Sequence, residues 1–62
     1  MSEWEEDEVY ELADEVLVEP TLWFELANPR LDGERPFDLM DTSAGRAKVA
    51  ALIEAIADGV FL

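Results

Sequence analysis

The sequence predicts an all-α fold: a small single domain of about four helices, two longer (about residues 3–18 and 43–58) and two short. Two apolar stripes at helical spacing, within residues 9–17 and 49–56, carry that prediction. No stretch alternates apolar and polar residues over a strand's length, and Pro20, Pro29, Pro36 and Gly59 fall where helices start or stop. A chain of 62 residues, half of them hydrophobic, has material for one small core. At this size only roughly 60% of the surface exposed by the unfolded chain is buried.

The first helix is set by Ser2 and Glu5, whose spacing is that of a capping box, and by early acids that suit the positive end of a helix dipole. Val9, Leu12, Ala13, Val16 and Leu17 then follow i, i+3, i+4, i+7, i+8 and form the buried face. Glu3, Asp7, Glu11 and Asp14 fall opposite, beside a second row of Glu8, Glu11, Glu15 and Glu19. Like charges at i, i+4 repel by about 0.2–0.5 kcal/mol per pair, a cost that packing must offset. Trp4, with Glu3 and Glu5 on either side, has two states open to it: folded back as a staple, or standing out as a binding anchor. Tyr10 sits at the stripe's edge, where partial burial leaves its hydroxyl in water.

Pro20 ends this helix and suits the first turn of the next, a short apolar one over residues 21–27. Leu22, Trp23 and Leu26 lie on its overlapping faces, and core packing accounts for Trp23 and Phe24. Asn28-Pro29 stops it, because a residue before proline is pushed out of the α region. Residues 31–34 form a turn around Gly33, and Pro36 opens a single helical turn over residues 37–40. Asp41, Thr42 and Ser43 offer caps for the last helix. Its stripe is Val49, Leu52, Ile53 and Ile56, and Gly59 closes it ahead of the apolar tail Val60, Phe61 and Leu62.

Charge separates the two halves. Residues 1–27 hold ten acids and no base; residues 28–62 hold six acids and all four bases, Arg30, Arg35, Arg46 and Lys48. The net charge of −12 repels nucleic acid and anionic membranes, and a basic protein surface is its natural complement. Salt adaptation would spread acids over the whole surface, and the near-neutral second half argues against it. No apolar run approaches the ~18 residues of a membrane span, and the acidic start is unlike a basic signal peptide. The expected location is the cytoplasm.

Catalysis finds little to work with. The chain has no His and no Cys, which removes the usual general base and soft nucleophile, and Ser2 and Ser43 both stand at cap positions. Residues 32–34 lack the ligand spacing of a calcium loop, so no metal or other cofactor is expected. The acidic row, in contrast, exceeds what solubility needs. At a rise of 1.5 Å per residue, Glu3, Asp7, Glu11 and Asp14 place a charge about every 5–6 Å, comparable with the 3.4 Å axial repeat of phosphates on one strand. Arginine forks of a phosphate-binding groove pair with carboxylates as readily.

Residues 27–62 carry a further pattern: the Asn28-Pro29 stop, Leu31 and Gly33 of an "NP-x-L-x-G" turn, residues 36–40 (PFDLM), residues 41–45 (DTSAG) and the closing Gly59-Val60-Phe61. This segment resembles the C-terminal toxin-binding domain of Xre/MbcA/ParS-type antitoxins. The resemblance implies a helical domain that binds an NAD-consuming RES-domain toxin, with Gly59, Val60, Phe61 and Leu62 plugging the toxin's active-site cleft. Helix capping and core contact are the other account of that tail. Antitoxins of this family usually carry an N-terminal helix-turn-helix DNA-binding domain. This chain starts at the acidic helix, and in format and charge it is similar to phage-encoded anti-CRISPR inhibitors.

The sequence thus points to a non-enzymatic inhibitor that binds a partner protein directly. The reading placed first is a DNA mimic. In it Glu3, Trp4, Glu5, Asp7, Glu8, Glu11, Asp14, Glu15 and Glu19 block a basic groove, such as that of a nucleic-acid-binding subunit of a CRISPR effector. The alternative is an antitoxin that neutralises a RES-domain toxin through Val60, Phe61 and Leu62. Residues 1–19 then form an acidic helix joined to an antitoxin-like segment, residues 20–62.

Overall fold

The computed structural model describes residues 4–59, and its elements among these are α1 (Glu6–Val16), α2 (Pro20–Glu25), a 3₁₀ turn (Pro29–Leu31), α3 (Pro36–Leu39) and α4 (Ser43–Ala57). The fold is all-α. Ser2, Glu3, Val60, Phe61 and Leu62, which the sequence reading gave roles, lie outside the described residues.

α1 is shorter than the predicted 3–18. Its N-cap is Glu5, in extended backbone, and the Glu8 carboxylate accepts the Glu5 N–H at 3.0 Å. The capping box is therefore made by Glu5 and Glu8, the same i, i+3 relation one turn later than Ser2 and Glu5. At the other end Pro20 takes the first position of α2, and Glu19 before it is driven from the α region (φ −126°, ψ 74°). Residues 17–19 consequently unwind, and Glu19 caps α2 instead of extending the α1 row.

α2 also stops early, at Glu25 rather than Ala27. Leu26 is already in extended backbone, and Asn28 serves as the clasp of the following loop. Its N–H donates to the Glu34 carbonyl at 3.0 Å, and its own carbonyl accepts from Leu31 and Gly33 at 2.9 and 3.0 Å. Its side-chain Oδ1 accepts the Arg30 N–H at 2.9 Å. The chain turns back through Asp32 (φ 59°) and Gly33 (φ 81°), both left-handed, a conformation that Asp and Gly tolerate best.

α3 is the single turn that Pro36 opens. α4 begins under Thr42, whose Oγ1 accepts the Gly45 N–H at 2.9 Å; Ser43 is the first helical residue and not the cap. α4 ends at Ala57, and Gly59 follows at φ 75° with its N–H on the Ile56 carbonyl at 3.1 Å. That is the glycine stop its position predicted.

The core joins Val9 and Ala13 of α1, Phe24 of α2, Met40, and Val49, Ala50 and Ile53 of α4. Leu12, Val16, Leu17, Trp23 and Leu39 pack around it, half-buried. Every residue of the predicted α1 stripe is therefore in the core or against it. The Cα radius of gyration, 10.6 Å, is what a compact chain of this length has, so α1 lies docked on the body rather than projecting from it. Four acid pairs at i, i+3 or i, i+4 on α1 cost about 1–2 kcal/mol together, whereas burying Val9 alone returns about 1.5–3. Packing wins.

Candidate partner-binding surface

The water-facing side of α1 is made of carboxylates. Glu6, Asp7, Glu8, Glu11, Asp14 and Glu15 are all exposed on the helix, with Glu5 exposed at its cap and Glu19 exposed at the head of α2. Glu6, Asp7 and Glu8 occupy the first turn, where the helix dipole welcomes them. Asp14 and Glu15 stand near the opposite end, which carries no base in its last turn and where the dipole opposes acids. The fold gains nothing from acids there. Among the described residues none of these carboxylates is ion-paired; the ion pair present is Arg35 with Asp38.

That pair is a two-toothed fork, Arg35 Nε to Asp38 Oδ2 at 3.0 Å and Nη2 to Oδ1 at 2.9 Å, on an exposed surface. Its hydrogen bonds hold the Asp38 carboxyl below, and the Arg35 guanidinium above, their ordinary values. Being in water, it adds little to stability.

Trp4 takes the packed state of the two open to it. It is half-buried against the core cluster. Its carbonyl oxygen accepts from Arg46 Nε at 2.8 Å, and Nη1 of the same guanidinium donates to the Met40 carbonyl at 2.7 Å. Arg46 thus ties the segment ahead of α1 to the α3–α4 corner. It also shares a shallow cleft with Glu5, Glu6 and Asp7, so one of the four bases lies beside the acidic end of α1.

Apolar groups reach water in two places. Val18 (94% exposed), Leu22 and Leu26 form a ridge beside Trp23 and Leu17. Phe37, 54% exposed, faces a groove of about 250 Å³ that Tyr10, Asp14, Phe24 and Glu25 also line. Sequence reasoning missed both. A six-residue helix such as α2 is too short to reveal its buried face by periodicity, and only Phe24 of its side chains is fully buried. A third, open groove of about 750 Å³ runs past Leu31, Leu39, Leu52 and Ala55, with Arg30 and Lys48 in its walls.

Residues 12–59 match the model of the antitoxin Xre/MbcA/ParS C-terminal toxin-binding domain. The chain belongs to this family. The toxin-binding domain so delimited starts at Leu12, inside α1, and ends at Gly59. The apolar stripe from Leu12 to Leu17 is therefore part of it, as are Asp14, Glu15 and Glu19, while Trp4 and residues 5–11 lie ahead of it. Among curated proteins and among solved structures nothing matches the chain.

The family description names a domain that binds a toxin, not a catalytic one. DNA mimicry, a CRISPR-effector partner and a phage setting draw no support from the match. Among the described residues no group of three or more acids is placed to hold a metal ion, and no helix is long and apolar enough to cross a membrane.

Proposed function

We propose that this chain is an antitoxin that neutralises a toxin by direct contact, and that the toxin is an NAD-consuming enzyme of the RES-domain class. The family match over residues 12–59 carries the reading. Two surfaces are assigned to the contact. The first is the carboxylate face of α1, extended by Glu5 and Glu19; its acids near the helix C-terminus cost stability, which a basic partner surface would offset. The second is the tail Val60, Phe61 and Leu62, which follows the glycine stop at Gly59 and would enter the toxin's active-site cleft.

The test is NAD consumption by a purified RES-domain toxin with increasing amounts of this protein. Stoichiometric inhibition that weakens as salt rises is expected; undiminished consumption at a large excess ends the reading. The Glu8→Lys, Glu11→Lys, Glu15→Lys triple variant separates the surfaces. If it inhibits as well as the parent, the acidic face is not a contact. A chain ending at Gly59 that still inhibits fully removes the plug.

A further inference from the structure

The geometry points to the groove between α1, α2 and α3 as a socket for one arginine side chain of the toxin, an inference that rests on the antitoxin reading above. Three aromatic residues from three separate helices meet there. Tyr10 and Phe24 have ring centroids 4.9 Å apart at an interplanar angle of 50°, and Phe37 lines the same groove with half its surface in water. Asp14, one turn after Tyr10, and Glu25, next to Phe24, supply exposed carboxylates to the walls.

Each half of this arrangement selects for the same ligand chemistry. Aromatic faces attract a cation placed within about 6 Å of the ring centroid, Arg more often than Lys, and they welcome the apolar stem that carries it. Carboxylates bind a guanidinium through its fork of donors. A purely apolar occupant would have to strip water from Asp14 and Glu25 without replacing it, and an anion would be repelled by both. Size narrows the choice again. A groove of about 250 Å³ lies below the ~300–1,000 Å³ of clefts that engulf a small-molecule ligand, and suits a single side chain.

Among the described residues no base lines the groove. Arg35, whose guanidinium feels the charge of Glu25, is already committed to Asp38 through both teeth of its fork. Phe37 is the telling residue. In a one-turn helix with buried Pro36 and half-buried Leu39 facing the body, Phe37 contributes little to the core, and its exposed ring is of a side-chain type enriched at the cores of protein interfaces.

The experiment titrates the full chain with N-acetyl-arginine amide and, separately, with N-acetyl-norleucine amide while following the ring resonances of Tyr10, Phe24 and Phe37. Saturable shifts at these three rings with the arginine probe only, lost in the Asp14→Asn, Glu25→Gln double variant, are expected. Equal response to norleucine, or shifts spread along the acids of α1 with none at the rings, overturns the socket. The second arm measures toxin inhibition by that double variant and by Phe37→Leu, each checked for helix content by circular dichroism. A loss of at least tenfold in inhibitory potency is expected for both. Unchanged potency in these variants beside an active parent defeats the socket and leaves the antitoxin reading intact. A parent that takes the arginine probe but inhibits no RES-domain toxin has the opposite consequence: the partner is wrong and the socket stands.

Discussion

Gly45 stands against the backbone of Leu39 with no room between them. A Cβ built on Gly45 would overlap the Leu39 carbonyl oxygen and lie 2.9 Å from the carbonyl carbon, with Thr42 Oγ1 at 3.1 Å. Gly45 is buried, and its N–H is the donor that Thr42 Oγ1 receives. The first turn of α4 is therefore seated directly on the last carbonyl of α3, a contact that only the absence of a side chain permits.

Gly45→Ala accordingly destabilises the protein despite alanine's better helix propensity. The overlap is with main chain, which cannot swing aside, and overpacking of this kind costs about 1–3 kcal/mol. Urea unfolding of the variant measures it. A midpoint at or above that of the parent would show that the α3–α4 corner opens freely.

Arg46→Lys loses most of what Arg46 contributes. Lysine has a single donor group and cannot reach the Trp4 and Met40 carbonyls with the two arms that Nε and Nη1 provide. Hydrogen bonds from charged donors contribute about 1.5–3 kcal/mol each when partly buried, so a loss of about 2 kcal/mol is expected. Faster hydrogen exchange around residues 4–8, with the middle of α4 unchanged, would locate the effect.

Asn28→Ala removes one of the clasp's four bonds, that from the Arg30 N–H to Oδ1, and leaves the three main-chain bonds in place. The expected cost is that of a lost cap, about 1 kcal/mol by chemical denaturation. A much larger loss would mean that the side chain organises the whole loop.

Tyr10 titrates above its ordinary value of 10.0, chiefly because partial burial disfavours the phenolate and secondarily because Glu6 repels it. The folded state thus prefers the neutral phenol. Its contribution is fully present below the unfolded pKa and is lost as pH rises through the folded one. The chain has one tyrosine, so phenolate absorbance reports it without ambiguity. The midpoint should fall above 10.0 in the parent and move down in Glu6→Gln; a midpoint at 10.0 in both contradicts the packing around the ring.

Helical stripes and proline starts were legible because each is a local property. Val9, Ala13, Val49 and Ile53 reach the core as their spacing requires, and Pro20 and Pro36 open α2 and α3. The start of α1 was misplaced by one turn, since Ser2 and Glu5 carry the letters of a capping box whereas the box that forms has a glutamate, Glu5, at the cap. Exposure of Leu22, Leu26 and Phe37 was hidden by the shortness of α2 and α3. Gly45 reads in the sequence as part of a cap, whereas the reason for it is a neighbour six residues back that sequence spacing does not reveal. The Arg46 tie spans 42 residues and leaves no trace in any local pattern.

Both oxygens that Arg46 holds belong to the main chain, and every amino acid carries that oxygen. The tie that Arg46 adds to the packing of the Trp4 ring is thus written in a residue far from the acidic segment, not in that segment's own letters. Substitutions at the water-facing Glu6 and Asp7, which take no part in the capping box or in the Arg46 tie, can accumulate without undoing the attachment. Under the antitoxin reading, those positions are open to rewriting one at a time while the body that presents them stays the same.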